Sequence, residues 1–502
     1  MKPNIIYILA DDMGYGDVSC LNPSSKIRTK HLDALAAGGM CFTDAHATSA
    51  VCTPSRYGIL TGRYNWRSWL KQGVAWSWSP PLIEPDRMTV ASYLHDHDYT
   101  TGCIGKWHLG WDWARRTSAT SDDEPEGELE EEDLDLAKPI EAGPTTVGFD
   151  RFFGIAASLD IPPYIYIDND RPTIAPDRRI EERKGKQFWR EGPISPDFEH
   201  ADVLPHLTKE ALGFIDDHAQ GERPFFLYFP LPAPHTPILP SAEFQGASGT
   251  NEYGDFCLMV DDVVGQVMAK LEEHGIADDT ILVFTSDNGC SPQADFEELA
   301  AVGHHPSYVF RGHKADIYEG GHRIPLLIRW PEQIAAGATS DQTVCLVDLL
   351  ATCADILGDP LPDNAGEDSV SNLPIWRGQE PDSGRGPGPD SGLREATVHH
   401  SIDGSFSIRA GRWKLEMCPG SGGWSPPRPG EETEDMPPIQ LYDLEADIGE
   451  GTNVQDQHPD VVERLQNLLT KYVEEGRSTE GAPQVNTGGN RWDQLWWMPD
   501  AG

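Results

Sequence analysis

The first two-thirds of the chain alternates short apolar runs with amphipathic stretches. Between residues 4 and 360, apolar runs are separated by segments whose apolar residues recur at helical spacing. This alternation is typical of a parallel sheet covered by helices. We therefore predict an α/β fold with a large, mostly parallel central sheet flanked by helices. The predicted strands are Asn4–Ala10, Tyr99–Ile104, Phe225–Phe229 and Ile281–Ser286, and the clearest predicted helices are His31–Ala37 and Tyr253–His274.

The pattern changes after a segment rich in Gly, Pro and Asp that spans about 377–393. Beyond it, Ser405–Arg409 and Arg412–Met417 flank an Ala410-Gly411 turn, and Leu441–Leu444 is another short strand candidate. Apolar residues at helical spacing then predict a helix over 460–475. We predict a large domain over residues 1–376 and a smaller α+β subdomain, with a short antiparallel sheet, over residues 394–502.

Composition and charge exclude several classes of partner. The chain has 502 residues, of which 38% are hydrophobic, so it can fill a large core. No apolar stretch approaches the roughly 18–20 residues of a membrane helix, so no membrane partner is expected. The net charge of −42 argues against nucleic acid, because phosphate binding needs a basic surface. Any anionic substrate must therefore enter a local basic pocket.

The N-terminus carries no secretory signal, since Met1-Lys2-Pro3 runs directly into an apolar strand. As the sequence stands it indicates a cytoplasmic protein, and a periplasmic or secreted one if a signal peptide was removed. The stretch from Asp122 to Asp135 contains ten acidic residues and no basic ones, which predicts a solvated loop or lid. Nine scattered cysteines without C-x-x-C spacing argue against a disulfide scaffold or a cysteine zinc cluster.

Two of the predicted strands end in pairs of hard oxygen ligands. Asn4–Ala10 runs into Asp11-Asp12, and Ile281–Ser286 runs into Asp287-Asn288. Ligands of open α/β sheets bind outside the carboxyl ends of strands. Two such pairs suit an all-oxygen site for Ca²⁺ or Mg²⁺. The alternative is that each pair merely caps the turn that follows its strand.

The other two strands end in loops with histidine and lysine. Lys106 and His108 follow Tyr99–Ile104, and His235 follows Phe225–Phe229 between prolines that restrict its backbone. A further lysine, Lys314, precedes a glycine-containing turn. Each residue taken singly is compatible with a structural or surface role. Their shared placement at strand ends favours a functional one.

Cys52-Thr53-Pro54-Ser55-Arg56 carries the strongest chemical signal. Pro54 suits the first helical position, Thr53 is a possible cap, and Gly62 ends the helix. Cys52 is therefore predicted just before a helix N-terminus, where free N–H groups favour an anion, with Arg56 in the first turn. The residues leave two alternatives open: a plain buried thiol, or a reactive thiolate as in cysteine hydrolases.

The same segment matches the C-x-P-S-R signature of the type I sulfatases, which belong to the alkaline-phosphatase superfamily, and Thr61-Gly62-Arg63 continues the match. The resemblance extends over nearly the whole chain through the strand-end residues and Lys314. It implies that residues 1–376 are the catalytic domain. It also implies that a separate maturation enzyme converts Cys52 to Cα-formylglycine. The implied metal is Ca²⁺ in preference to Mg²⁺, held by Asp11, Asp12, Asp287, Asn288 and the modified residue 52.

Roles for the remaining residues follow from the resemblance. A hydroxyl of the hydrated aldehyde at position 52 attacks sulfur, and Asp287 accepts its proton. His235 protonates the departing alcohol, and His108 later takes the second hydroxyl proton so that sulfate leaves. The cations expected to neutralise sulfate in the transition state are Arg56, Lys106 and Lys314.

The substrate is predicted from a looser resemblance. The segments Gly154–Tyr166, Val398–Ser401 and Cys418–Trp424 are similar to carbohydrate sulfatases related to N-acetylgalactosamine-6-sulfatase and arylsulfatase A. This implies a sulfated saccharide, possibly a 6-O-sulfated galactose or N-acetylgalactosamine. Two groups of tryptophans could stack on a sugar: Trp66, Trp69, Trp76 and Trp78, and the C-terminal Trp492, Trp496 and Trp497. The alternative is that these rings dock loops onto the main body. The candidate substrate-binding residues are Asp160, His313 and His322.

Four other functions stay open at this point. The first two are an aryl sulfatase and a phosphonate or phosphate monoesterase of the same superfamily. The third is a cysteine hydrolase in which Cys52 is never modified. The fourth is a protein that binds sulfated glycans without turnover.

Overall fold

Eighteen strands form in the part of the chain that this computed structural model describes, namely residues 2–116, 130–379, 393–431, 433, 435–489 and 491–498. In chain order they are β1 (Asn4–Asp11), β2 (Met40–Phe42), β3 (Ala45–His46), β4 (Thr100–Lys106), β5 (Arg151–Ile155), β6 (Ile167–Asp168), β7 (Arg171–Pro172), β8 (Arg178–Ile180), β9 (Gly192–Ile194), β10 (Phe225–Pro234), β11 (Thr280–Ser286), β12 (Leu326–Arg329), β13 (Ala338–Ser340), β14 (Val344–Cys345), β15 (Thr397–His400), β16 (Phe406–Ala410), β17 (Trp413–Glu416) and β18 (Gln440–Asp443).

The α-helices of the same described residues surround these strands. They are α1 (Lys30–Ala37), α2 (Cys52–Thr61), α3 (Val90–Asp96), α4 (Val203–His218), α5 (Glu252–His274), α6 (Phe296–Ala301), α7 (Glu319–His322), α8 (Leu349–Leu357), α9 (Leu373–Trp376) and α10 (Pro459–Glu474). None of them combines the length and the hydropathy that crossing a bilayer requires.

The central sheet has ten strands in the order β13-β2-β12-β11-β1-β10-β4-β5-β6-β7. The five strands from β11 to β5 run parallel to one another, and antiparallel pairs appear only outward of them. The predicted α/β class with a mostly parallel central sheet is confirmed. Each predicted strand and helix named for this region is present, with its ends shifted by a few residues.

Strand β1 shows why the central strands are apolar throughout. Its side chains alternate between two cores, because successive residues of a strand point to opposite faces. Ile5 and Leu9 lie in the core that contains Tyr57 and Leu350 from α2 and α8. Ile6 and Ile8 lie in the core that also contains side chains of α1, α4 and α5. Because helices cover both faces of the sheet, no side chain of these strands needs to face water.

The C-terminal region forms its own antiparallel sheet, with strand order β15-β16-β17-β18. Helix α10 packs Val461, Leu465 and Leu469 into a core shared with this sheet. Tyr64 and Trp66, from the segment after α2, enter the same core. The α+β character of this region is confirmed, and the division into domains 1–376 and 394–502 stays a prediction. Residues 117–129 and 380–392, which hold most of the acidic stretch and most of the predicted linker, lie outside the described residues.

One local prediction needs correction. Helix α2 begins at Cys52 itself, with Val51 as its extended N-cap residue, so Pro54 is the third helical residue and not the first. Thr53 does not cap the helix, because its hydroxyl donates to the His108 carbonyl oxygen at 3.0 Å. The predicted end is confirmed, since Gly62 adopts φ 65° directly after Thr61. Cys52 therefore lies within the first turn.

Candidate active site

The order of the parallel strands brings the chemically distinctive loops to one edge of the sheet. Strands β11, β1, β10 and β4 are neighbours in that order. Ala10 of β1 is in register with Ser286 of β11, so Asp11 and Asp287 follow equivalent strand positions. His235 directly follows β10, and Lys106 is the last residue of β4. Four loops that are distant in sequence therefore meet at the carboxyl ends of adjacent strands.

Close approach of the backbones at this edge depends on glycine. Gly105, beside Lys106, has φ 137°, a conformation that L side chains rarely adopt. A Cβ atom on Gly105 would lie 1.9 Å from the carbonyl oxygen of Pro230 in β10. The end of β4 can therefore pair closely with β10 only because residue 105 has no side chain.

Asp11, Asp12, Asp287 and Asn288 form a buried cluster of oxygen ligands. All four are at most 1% exposed, and carboxylate oxygens of the three aspartates lie within 4.8 Å of one another. The Asn288 side-chain amide donates to Asp12 Oδ1 at 2.7 Å. Asp11 Oδ1 and Asn288 Oδ1 are buried without a hydrogen-bond partner. Unpartnered buried oxygens beside crowded carboxylates are the donor set that a hard divalent cation requires, so these residues fit Ca²⁺.

The crowding also affects the protonation of Asp287. Burial raises the pKa of Asp287 to about 7, and the nearby charge of Asp11 adds to the effect. Burial alone would also raise the pKa of Asp11, but the charges of Lys106, His235 and Arg56 hold that pKa well below its usual value. The two carboxylates thus titrate differently because the cations pair unequally with them.

Three buried cations balance these carboxylates. Lys106 Nζ donates to Asp11 Oδ2 at 2.6 Å, and Lys314 Nζ donates to Asp12 Oδ2 at 2.8 Å. The Arg56 guanidinium donates to Asp287 Oδ2 from both Nε, at 3.1 Å, and a terminal nitrogen, at 2.7 Å. Its other terminal nitrogen donates to the Lys106 carbonyl oxygen at 2.9 Å. Each of the three guanidinium nitrogens of Arg56 therefore has a protein acceptor.

Cys52 lies among these charges at the start of α2. Its side chain is buried, and Cys52 Sγ lies within 4.8 Å of ligand atoms of Asp11 and His235. Burial raises the pKa of the Cys52 thiol, although Lys106 and Lys314 act to lower it. A cysteine nucleophile needs a lowered thiol pKa, so these surroundings disfavour the cysteine-hydrolase alternative.

The two site histidines are oriented differently. His235 Nδ1 lies 2.6 Å from the Thr236 carbonyl oxygen and donates to it, which directs Nε2 toward the site, 3.6 Å from Asp12 Oδ2. His108 uses the opposite nitrogen: Nε2 donates to the Ala75 carbonyl oxygen at 2.8 Å. Its Nδ1 is buried without a partner. Because each N–H is held by a carbonyl, each ring keeps one nitrogen free for proton transfer.

Asp160, a predicted substrate-binding residue, lies beside His235. Asp160 Oδ1 is 4.0 Å from His235 Nδ1 and accepts a hydrogen bond from the Ser158 hydroxyl at 2.6 Å. Its other oxygen pairs with Arg190, whose guanidinium stands 5.1 Å from the ring centroid of the half-exposed Trp76. Arg190 could not be predicted as a partner of Asp160, because it lies thirty positions away in an irregular segment without a recognisable motif.

The other two substrate-binding candidates occupy different surroundings. His313, which precedes Lys314, is part-buried and lies 3.0 Å from the Ser425 hydroxyl. His322 is fully buried, with its ring stacked 4.0 Å from that of His399. Both ring nitrogens of His322 already face protein groups, His46 Nδ1 at 3.0 Å and the Ile317 carbonyl oxygen at 3.1 Å, so the structure does not support its predicted contact with a sugar.

The family profile described as Sulfatase matches residues 3–359. The chain belongs to the sulfatase family. This sulfatase is therefore an enzyme, a sulfuric ester hydrolase. N-acetylgalactosamine-6-O-sulfatase of Bacteroides thetaiotaomicron is 34% identical to it over 508 residues, which cover 93% of this chain and 92% of that protein. Human arylsulfatase A is 32% identical over 506 residues, which cover 97% and 91% of the two chains.

Solved structures agree with this assignment. One from work on the metabolism of multiple glycosaminoglycans by Bacteroides thetaiotaomicron has a TM-score of 0.79 and 33% identity, covering 94% of this sulfatase and 99% of that chain. Ps i-CgsB in complex with k-i-k-neocarrahexaose has a TM-score of 0.69 at 23% identity, covering 100% and 98% of the two chains, and supports the fold alone. The fold of the sulfatase is thus shared along its whole length.

Proposed function

We propose that this sulfatase removes sulfate from a sulfated carbohydrate of the 6-O-sulfated galactose or N-acetylgalactosamine type. The observation that carries the proposal is the position of Cys52 at the start of a buried helix, among the ammonium groups of Lys106 and Lys314 and the ring of His235. The carbohydrate is supported by the similarity to a Bacteroides N-acetylgalactosamine-6-O-sulfatase over nearly the full length of both chains.

The nucleophile in this proposal is formylglycine, made from Cys52 by a separate maturation enzyme. The segment Cys52-Thr53-Pro54-Ser55-Arg56 is intact, which supports the modification. The hydrated aldehyde supplies one hydroxyl to attack sulfur and a second whose deprotonation lets sulfate leave. Asp287 is proposed to accept the first proton. Its carboxylate lies within 4.8 Å of those of Asp11 and Asp12, in the cluster that residue 52 would complete. An unmodified serine or cysteine has no equivalent second hydroxyl.

Asp11, Asp12, Asp287 and Asn288 would hold Ca²⁺, with residue 52 completing the site. Bound there, Ca²⁺ supplies positive charge that polarises sulfate oxygens and lowers the pKa of a neighbouring hydroxyl. The two unpartnered oxygens, Asp11 Oδ1 and Asn288 Oδ1, support the assignment because burying them without a partner is costly.

His235 is proposed as the general acid for the departing alcohol. Its Nδ1–H is held by the Thr236 carbonyl oxygen, so only Nε2 can deliver a proton to substrate. That Nε2 lies 3.6 Å from Asp12 Oδ2, beside the proposed Ca²⁺ site. A sugar alkoxide is a poor leaving group, and a positioned acid typically accelerates its departure by about 10²–10⁴-fold.

His108 is proposed as the base that completes turnover. Its Nε2–H is fixed on the Ala75 carbonyl oxygen, and its unpartnered Nδ1 is the only ring atom that can take a proton. Burial lowers the pKa of His108 well below its usual value, which keeps the free ring neutral and able to act as a base. The two histidines thus leave different nitrogens free, Nε2 of His235 and Nδ1 of His108.

Lys106 and Lys314 are proposed to neutralise charge on the sulfate group in the transition state. Each ammonium group has three N–H donors and does not use all of them on the aspartate that it contacts. Arg56 differs, because each of its three guanidinium nitrogens already donates to Asp287 or to the Lys106 carbonyl oxygen. We propose that Arg56 acts on sulfate through those two partners.

A group of polar and aromatic side chains next to His235 supports a carbohydrate substrate over a small aryl ester. We call this group, which consists of Asp160, Arg190, Trp76 and Phe188, the sugar-binding wall. Arg190 joins the Asp160 carboxylate on one side and faces the rings of Trp76 and Phe188, at 5.1 Å and 5.0 Å, on the other. An Asp–Arg pair can both accept from and donate to sugar hydroxyls. Trp76 is 40% exposed and its ring stacks on Trp78, so the exposed part of this aromatic pair suits the apolar side of a pyranose. Since Asp160 neutralises Arg190, the wall suits an uncharged sugar.

The experiment that tests the proposal compares the matured enzyme on matched esters. Galactose and N-acetylgalactosamine carrying sulfate at position 6 should be hydrolysed faster than their 4-sulfated isomers, 4-nitrophenyl sulfate and the corresponding phosphates. Peptide mass spectrometry should show formylglycine at position 52, and Cys52→Ala should be inactive as the matched control. Faster phosphate hydrolysis would support the phosphomonoesterase alternative, and full activity of protein with unmodified Cys52 would overturn the mechanism.

A further inference from the structure

A cavity adjoins the sugar-binding wall. It has a volume of about 580 Å³, and its lining includes Lys186, Phe188, Gln293, Phe296 and Glu297. This volume falls in the range of about 300–1,000 Å³ that small-molecule sites occupy. Because Phe188 belongs both to the cavity and to the sugar-binding wall, the cavity lies next to the group that is proposed to hold the sulfated sugar.

Both sides of the cavity are connected to catalytic segments. On one side, the Lys186 carbonyl oxygen accepts a hydrogen bond from the Thr236 hydroxyl at 2.9 Å, and Thr236 directly follows His235. On the other side, the ring of Phe296 lies 5.3 Å from the ring of His313, which directly precedes a proposed sulfate-binding lysine. The position of the cavity is therefore fixed relative to the proposed acid and to the sulfate site.

The cavity carries an excess of negative charge. Among the described residues that line it, Lys186 is the only cation, and Asp295 and Glu297 are anions. Lys186 Nζ lies 3.0 Å from a Glu252 carboxylate oxygen and 3.9 Å from Asp295 Oδ2, and it also pairs with Glu298. One ammonium group thus stands among four carboxylates, which leaves a local net charge of −3.

Cations close to Lys186 in the chain do not offset this charge. Lys184 and Arg190 lie outside the lining of the cavity. Lys184 pairs with Glu182 at 3.8 Å, and Arg190 pairs with Asp160. The two proposed sulfate-binding lysines each donate to an aspartate of the proposed metal site. A second anionic group in the cavity is therefore repelled, whereas the sulfate group meets cations.

We propose that this cavity binds the sugar next to the sulfated one and selects for an uncharged sugar there. The inference rests on the function proposed above, because it names the kind of glycan that the same site accepts. Phe188 and Phe296 offer apolar ring surface to a pyranose, and Gln293 offers an amide to its hydroxyls. A uronate or a second sulfate in the same place faces the local charge of −3, which opposes its binding.

The substrate class that follows is a glycan with one anionic group, at the sulfated sugar, and a neutral hexose or N-acetylhexosamine beside it. The cavity supplies the contacts for the second sugar, and the four carboxylates supply the discrimination. Both effects act on binding, because none of these side chains belongs to the proposed catalytic set.

Matched disaccharides test this specificity in the matured wild-type enzyme. Both carry the same 6-sulfated N-acetylgalactosamine, joined either to glucose or to glucuronate, and the free 6-sulfated monosaccharide is the reference. The glucose disaccharide should have a lower KM than the monosaccharide. At low salt its kcat/KM should exceed that of the glucuronate disaccharide about tenfold, as expected for three charges that repel a unit charge at roughly 8 Å in water. In 1 M salt, where the Debye length is about 3 Å, the difference should fall below about twofold.

Glu297→Lys tests the origin of the discrimination. Glu297 is exposed, and the change moves the local net charge from −3 to −1. The tenfold preference for the glucose disaccharide should therefore fall to about twofold at low salt. The matched control is Glu463→Lys, which alters the total charge equally at an exposed position of α10 and should keep the full preference.

The outcomes separate this proposal from the proposed function. Hydrolysis of the sulfated monosaccharide combined with equal kcat/KM for the two disaccharides at low salt would overturn the specificity alone. A preference for the glucuronate disaccharide, a glucose disaccharide that binds no better than the monosaccharide, or an undiminished preference in Glu297→Lys would do the same. Failure to hydrolyse any of the three sulfated sugars would instead refute the proposed function, and this specificity with it.

Discussion

Replacing His235 by alanine tests the orientation that the structure imposes on the proposed acid. In the wild type, the Thr236 carbonyl oxygen holds Nδ1–H at 2.6 Å, and Nε2 alone faces the site, 3.6 Å from Asp12 Oδ2. Removing the ring removes the proton donor but leaves Lys106 and Lys314 paired with Asp11 and Asp12. Sulfate binding should therefore persist, and the size of the rate reduction should depend on how much the leaving group needs a proton.

The magnitude follows from the chemistry of the leaving group. A sugar alkoxide needs a proton as the S–O bond breaks, so His235→Ala should slow a sugar 6-sulfate by about 10²–10⁴-fold. That range corresponds to about 3–5 kcal/mol of transition-state stabilisation. A nitrophenolate leaves with little assistance, so the same change should slow 4-nitrophenyl sulfate by less than about tenfold.

The assay is steady-state and pre-steady-state kinetics on both esters at matched ionic strength, because the net charge of −42 makes anion binding sensitive to salt. His108→Ala is the matched control, since His108 is assigned to a step that follows departure of the alcohol. It should reduce kcat to a common value on both esters, with a burst of released alcohol. Equal losses on both esters for His235→Ala would refute the assignment and leave Lys314 as the next candidate acid.

Three further predictions concern metal, substrate and pH. Asp12→Ala and Asn288→Ala should each lose bound Ca²⁺ and turnover together, measured by elemental analysis and kinetics; stoichiometric calcium in either variant would contradict the site. Trp76→Ala should raise KM for a sugar sulfate about fivefold, from the loss of about 1 kcal/mol of stacking, with little effect on 4-nitrophenyl sulfate. The control is Trp413→Ala, which removes a ring that lies 4.7 Å from the ring of His458 and is tilted by 53° against it. Burial lowers the pKa of His200 to about 4 in the folded protein, whereas the unfolded chain has the ordinary histidine pKa of about 6.5. The stability that depends on the neutral ring is therefore complete above about pH 6.5 and is lost as the pH falls from there toward about 4. Between pH 7 and pH 5, chemical denaturation should show wild type losing about 2 kcal/mol more than His200→Phe, and identical slopes would refute the shift.

Much of the site was predictable because its residues follow apolar strands. Asp11, Lys106, His235 and Asp287 each lie at or just beyond the end of a strand that the hydrophobic pattern predicts, and parallel strands present their carboxyl ends at one edge. The pattern could not predict that β11, β1, β10 and β4 are neighbours in that order, because strand order depends on the crossovers and not on the local sequence. The family assignment rested instead on the specific segment from Cys52 to Arg56.

The sequence by itself determined the fold class, the family and the types of residue available for chemistry, because these depend on local periodicity and on short motifs. Only the tertiary structure decided which atoms act. It committed Arg56 to Asp287, tethered opposite nitrogens of His108 and His235, placed Arg190 against Asp160, and moved His322 from a predicted sugar contact into a buried cluster. Each of these outcomes depends on contacts between segments distant in the chain, and hydrophobic periodicity carries no information about such contacts.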